Sequence, residues 1–287
     1  MDGPYDLSKS YLPCAIYSTA NSDGSNAVTV MPSRAIEVGD LARSFENGEL
    51  LLHYQPQVDI SQLWPQIIGY EALLRWPLMD GRFVPPDLFI HAAEQSGLVL
   101  SLDIWVIEAV CKELARINTS GAPRIIGMAA NVSAQQFGRR YFAQSVADIV
   151  SRAGIDPSWL TLEITERAIL EDSEITLENI YALRELGVSL SLDDFGTGYS
   201  SLFYLRSLPI QEVKLDRSFV RELPHRLRDA AIMRATIDLA SELGLRVIAE
   251  GVEQACQASW LRLNGCRLIQ GFLYGQPAAR PDSASSS

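Results

Sequence analysis

SLSLDDFGTGYSSL, residues 189–202, opens as a strand and ends in chemistry. Val188 to Leu192 alternates apolar and small polar residues, the period-two pattern of a half-buried strand. The run closes on two adjacent carboxylates, Asp193 and Asp194, followed by Phe195-Gly196-Thr197-Gly198. Neighbouring side chains on a regular strand point to opposite faces, so both aspartates reach one site only where the backbone turns. Gly196 and Gly198 are expected to supply that turn, since glycine accepts angles that other residues avoid. Asp beside Gly is also the composition of an ordinary Asx turn, so the dipeptide alone decides nothing.

The same design recurs in both directions along the chain. Strands are predicted at Leu50–Pro56, Gln66–Leu74, Arg124–Val132, Leu160–Thr165, Val188–Asp193, Glu212–Leu215, Arg246–Ala249 and Arg267–Phe272. Helices are expected near Ile36–Asn47, Pro86–Ser96, Leu102–Asn118, Ala134–Ala153, Glu174–Leu186, Ser200–Ser207, Asp229–Leu243 and Gln254–Asn264. Strand-then-helix alternation means parallel strands. Eight strands over a span of this length suit an α/β fold of the modified TIM (β/α)8 barrel type. The first two strands lie too close for a helical crossover and should form a hairpin, so the first strand runs antiparallel to the others. A doubly wound open sheet is the runner-up, and no G-x-G-x-x-G opening a helix supports it.

At 287 residues and 47% hydrophobic content the chain can bury a large core. Its net charge of −11 argues against a basic groove for a DNA or RNA polymer. Cys14, Cys111, Cys256 and Cys266 form no C-x-x-C pair and read as reduced, buried thiols of a cytoplasmic domain. No signal peptide pattern and no run of about 18 apolar residues is visible. His53, His91 and His225 are scattered and read as structural or surface residues. Residues 1–36, rich in Ser, Asn, Gly and Pro, read as a partly disordered linker or tag remnant. Residues 37–280 are the barrel, and 281–287 a disordered tail.

In such barrels chemistry sits at the carboxyl ends of the strands. There lie Glu71, Arg75, Asn131, Glu163, Asp193, Asp194, Lys214, Glu250 and Gln270. Five carboxylates against one lysine leave a net charge of about −4. A like-charge pair ~5 Å apart costs about 3 kcal/mol at an effective dielectric of about 20. Two divalent cations would cancel the sum. Oxygen ligands of the Asp, Glu and Asn type favour Mg²⁺ or Mn²⁺ over zinc.

These residues carry a family resemblance. Tyr70-Glu71-Ala72-Leu73-Leu74-Arg75-Trp76, Asn131-Val132-Ser133 and Leu162-Glu163-Ile164-Thr165-Glu166 resemble blocks of the EAL domains, the cyclic di-GMP phosphodiesterases. Asp193-Asp194-Phe195-Gly196-Thr197-Gly198, Val213-Lys214-Leu215-Asp216, Ala249-Glu250-Gly251-Val252-Glu253 and Gln270-Gly271-Phe272 continue the match in order. The resemblance implies opening of cyclic di-GMP to linear 5′-pGpG by water shared between two Mg²⁺ or Mn²⁺ ions. It implies that Glu71, Asn131, Glu163 and Asp193 hold one ion, and that Asp193, Asp194 and Glu250 hold or face the other. Lys214 then orients or helps to deprotonate the water, or serves as a charge partner for Asp193 or Glu250. Arg75 grips a phosphate or forms a structural ion pair, and Gln55 and Gln270 contact substrate or water. Glu253, placed one helical turn from Glu250, is expected to orient a ligand from behind. Glu166 anchors the loop after the two aspartates, coupling a homodimer interface to metal binding. Inhibition by Ca²⁺ is expected from its looser geometry. Sensor or GGDEF domains elsewhere in a longer protein, and a membrane anchor through them, fit the same resemblance. Two other functions compete: a receptor that binds cyclic di-GMP without cleaving it, and an aldolase using Lys214 as a Schiff-base nucleophile, which the surrounding carboxylates disfavour.

Overall fold

Nine strands organise the described residues: β1 (Leu51–Asp59), β2 (Gln66–Pro77), β3 (Phe83–Val84), β4 (Gly127–Asn131), β5 (Leu160–Thr165), β6 (Ser189–Phe195), β7 (Glu212–Leu215), β8 (Arg246–Ala249) and β9 (Leu268–Gln270). The computed structural model describes residues 38–119, 124–165, 168–169, 174–195 and 208–281. β1 and β2 form the expected hairpin, in register from Leu51↔Arg75 to Asp59↔Gln66. β2 pairs in parallel with β4, and the parallel pairing continues through β9. β1 pairs antiparallel with β9 as well, which closes eight strands into a barrel whose first strand opposes its neighbours. The two-residue β3 adds to the end of β2 outside the ring.

The period-two pattern sorts side chains between two environments. Leu162, Leu190, Leu192, Val213 and Leu215 are buried against the outer helices, each contributing about 1.5–3 kcal/mol. Their alternates, including Glu163 and Lys214, turn to the barrel axis and are equally buried. The helix Val99–Thr119 packs with Leu102, Val106, Val110, Leu114 and Ile117, spaced three or four apart, and with Ile107 beside them. A smaller apolar cluster joins Leu41, Leu50, Trp76, Val84 and Phe89. Within it the Trp76 indole donates to Ser44 Oγ (3.1 Å) and meets Phe89 edge-on, which seats the strand carrying Arg75.

Several local expectations are corrected. The helix predicted over Ala134–Ala153 is two, Ala134–Phe137 and Phe142–Ala153. The Asn179 amide takes the carbonyls of Phe137 and Arg139 (2.7 and 2.9 Å), and the helix breaks where those oxygens are already satisfied. The strand predicted from Arg124 begins at Gly127, because Asn118 brackets the backbone of Ile126 with two 2.9 Å bonds. A short helix at Arg217–Val220, capped by Asp216, had no expectation. The helix predicted at Ser200–Ser207 lies outside the described residues. Cys256 is exposed, whereas Cys111 and Cys266 are buried, and burial pushes both thiols up to about 12. No described helix is long and apolar enough to cross a membrane.

Candidate active site

Alternate positions on successive strands aim their side chains at one mouth of the barrel. Glu71 comes from β2, Asn131 from the end of β4, Glu163 from β5, Asp193 from β6, Lys214 from β7 and Glu250 from just beyond β8. The Lys214 ammonium is the meeting point. Its Nζ lies 2.6 Å from Glu250, 2.7 Å from Glu163, 3.2 Å from Glu71 and 3.5 Å from Asp193. Four carboxylates thus converge on one atom.

Desolvation pulls the Lys214 pKa down, but Glu163, Glu250, Glu71 and Asp193 together outweigh it and hold it well above the ordinary lysine value. Such a lysine is a poor nucleophile, which removes the support for an aldolase. Burial, with Glu71 and Asp193 adding to it, raises Glu163 well above the usual carboxylate range despite Lys214. Burial also lifts Glu250 to about 7. Asp194 is raised by desolvation and by Asp193. Glu71 goes the other way: burial raises it, yet Lys214, Gln270 and Asn131 more than compensate.

The donor set suits hard divalent ions. Glu163 Oε1 is buried with no hydrogen-bond partner among the described residues, although an unpaired polar oxygen in that setting costs about 2–7 kcal/mol. The protein thus presents a carboxylate oxygen that its own groups do not satisfy, beside further oxygens from Glu71, Asn131, Asp193 and Glu250. Among the described residues no three of His, Cys, Asp or Glu are already drawn into a cage, because the carboxylates gather on Lys214.

The turn at the paired aspartates is made by Asp194 itself, which takes φ 55 at a register shift between β6 and β7. Asp tolerates this left-handed region better than most residues, and such an irregularity re-aims a side chain. The glycines expected to provide the turn, Gly196 and Gly198, lie outside the described residues, as does Glu166. Asp193 Oδ1 accepts the Asp194 amide at 2.9 Å, one residue on and not the two that an Asx turn requires.

Arg75 sits half-buried at the same rim, its Nη1 on the Leu74 carbonyl (2.9 Å), with no carboxylate of the described residues within 4.0 Å. The structural ion pair considered for it is not formed there. Gln55 and Gln270 are inside the barrel: Gln270 Nε2 donates to Glu71 Oε2 (2.5 Å) and to Gln55 Oε1 (3.2 Å). The helical turn expected between Glu250 and Glu253 is not formed. Gly251 at φ 66 turns the chain after Glu250, the helix starts only at Ala255, and the exposed Glu253 side chain meets no site residue among the described contacts. Sequence reasoning missed Gln57, whose Nε2 donates to Gln270 Oε1 (3.2 Å). The signal was there: Gln55 and Gln57 alternate with Tyr54, Pro56 and Val58, two polar residues on the axial face of a buried strand.

A closed eight-stranded barrel with an acidic mouth gathered on a buried lysine defines a TIM-barrel-like protein. More narrowly, the chain belongs to the EAL domain family, whose model matches residues 38–277. It is 41% identical over 238 residues to the bifunctional diguanylate cyclase/cyclic di-GMP phosphodiesterase MucR of Pseudomonas aeruginosa, covering 83% of this chain and 34% of MucR. Identity to the cyclic di-GMP phosphodiesterase NbdA of the same organism is 40%, over 83% of this chain and 30% of NbdA. The chain thus spans about a third of the length of these curated relatives. The solved PaMucR phosphodiesterase in complex with c-di-GMP superposes with a TM-score of 0.79 at 39% identity, covering 84% of this chain and 96% of that one.

Proposed function

We propose that this barrel hydrolyses cyclic di-GMP to linear 5′-pGpG with two Mg²⁺ or Mn²⁺ ions. The observation that carries the reading is the convergence of Glu71, Glu163, Asp193 and Glu250 on one point, with a buried carboxylate oxygen left unsatisfied. Glu71, Asn131, Glu163 and Asp193 would hold one ion, and Asp193, Asp194 and Glu250 the other. Bound there, the ions supply Lewis acidity toward water and phosphate and neutralise the charge of the transition state.

The chain's own groups do the positioning. Lys214, set among Glu71, Glu163, Asp193 and Glu250, orients the attacking water or helps to deprotonate it, and donates hydrogen bonds to the oxygens gaining charge. Arg75, with its guanidinium unpaired by any described carboxylate, grips a substrate phosphate. Water adds its oxygen to phosphorus, the bond to the ribose O3′ in line with it breaks, and the water's proton ends on that oxygen. The product is linear and carries a 5′-phosphate. Homodimerisation and attached sensor or GGDEF domains belong to the same reading by family likeness.

Incubation of the chain with cyclic di-GMP and Mg²⁺, followed by chromatography, tests the reading. The expected result is pGpG, abolished by chelation and reduced at least 100-fold in Glu71→Ala while the fold survives. Cyclic di-GMP bound but never opened would make the domain a receptor instead.

A further inference from the structure

Gln57 is not a ligand by any reading of the mouth, yet the backbone register places it at the centre of a small polar layer. On β1 it lies opposite Gly69 of β2 on one side and opposite Gln270 of β9 on the other. Two residues earlier, Gln55 lies opposite Glu71. Gln57 is 7% exposed, Gln270 5% and Glu71 5%, so water does not satisfy these groups for free. Gly69 makes the room: a Cβ there would stand 2.9 Å from the Gly127 carbonyl and 3.3 Å from Gln57 Oε1.

The hydrogen bonds run one way. An ionised carboxylate only accepts, so Gln270 must face Glu71 with its NH₂ end. Its Nε2 donates to Glu71 Oε2 (2.5 Å) and to Gln55 Oε1 (3.2 Å), and Gln55 is itself oriented by donating to the Gly275 carbonyl (3.4 Å). The Gln270 carbonyl is then turned toward Gln57, which donates to it from Nε2 (3.2 Å). Without this donor the Gln270 carbonyl is left buried and unpaired, so the side chain shifts toward another partner and carries its NH₂ group, and the Glu71 carboxylate bonded to it, out of place.

We propose that Gln57 is a positioning residue for the metal centre: it fixes the amide of Gln270, which in turn aims Glu71. The inference rests on the reading of the mouth as a metal site. Groups that orient a ligand from behind typically change metal affinity 10–100-fold when removed.

Mn²⁺ titration by calorimetry of the full chain tests it without recourse to turnover. Gln57→Leu removes the donor at similar volume and is expected to weaken Mn²⁺ binding roughly tenfold. Gln57→Met, unbranched like Gln, replaces it if the leucine variant does not fold. Gln270→Leu should weaken binding at least as much, and adding Gln57→Leu to it should weaken binding no further, because Gln57 acts only through that amide. An affinity for Gln57→Leu within twofold of wild type overturns the proposal, and so do additive effects in the double variant. Wild-type protein that binds no Mn²⁺ overturns the metal reading itself, and this inference with it.

Discussion

Lys214 is 1% exposed and touches four carboxylates, so it is the counter-charge that offsets their mutual repulsion at the mouth. Breaking a buried ion pair by deleting one partner costs about 3–5 kcal/mol, because the other partner stays charged and dry. Here one deletion strands four partners. Lys214→Met is therefore expected to lose at least that much stability in chelator, and to regain part of it when Mn²⁺ enters among the same carboxylates. Saturation at about 100 times Kd returns about 2.7 kcal/mol. Denaturant melts with and without Mn²⁺ read this directly. A Lys214→Met variant as stable as wild type in chelator would show that the ammonium is not what balances the site.

Elements hold the site through contacts at their ends. Asp103, on the helix Val99–Thr119, accepts the Ser133 amide (3.0 Å) and hydroxyl (2.6 Å), tying that helix to the turn after Asn131. Burial raises its pKa to about 6 in spite of those bonds. A carboxyl whose folded pKa lies above its unfolded value of 3.8 binds more protons in the folded state between the two, so its contribution is full at low pH and is lost as pH rises through about 6. Asp103→Asn cannot ionise. The stability difference between variant and wild type should therefore move in the variant's favour by up to about 3 kcal/mol from pH 3.5 to 7. A constant difference across that range would refute it. Gly251 works at the other side of the mouth: at φ 66, with a Cβ that would fall 2.5 Å from the Arg217 Cβ, it admits no side chain. Gly251→Ala should cost about 2–4 kcal/mol in denaturant melts and displace the neighbouring Glu250. Melts matching wild type would mean that the turn relaxes freely. The alternation that exposed Glu71, Glu163, Asp193 and Lys214 in the sequence is a backbone rule, so the strands and the inward face were legible without coordinates. The break at Gly138, the late start of β4 and the place of Glu253 were not, because Asn179, Asn118 and Gly251 decide them through contacts or angles that no periodicity encodes. Gln57 lay between: its face could be read from the sequence, but its partner on β9 became visible only when the barrel closed.

Across the whole molecule the candidate ligands lie on β2, β4, β5 and β6 and just beyond β8, spread from residue 71 to residue 250. An unfolded chain holds no such arrangement, so an ion bound at the mouth stabilises the entire barrel and not one loop. Mg²⁺, Mn²⁺ and Ca²⁺ all take carboxylate oxygens, and each is expected to raise the melting temperature by several degrees at saturating concentration. Turnover asks more than binding. Ca²⁺ is larger and accepts six to eight loosely arranged ligands, whereas Mg²⁺ demands a near-ideal octahedron, so Ca²⁺ should stabilise the barrel while yielding little pGpG. Thermal melts and product assays on one preparation separate the two effects. Ca²⁺ that supports turnover equal to Mg²⁺ would show that the reaction does not depend on tight ligand geometry. A melting temperature indifferent to all three ions would show that the acidic mouth is balanced by Lys214 alone.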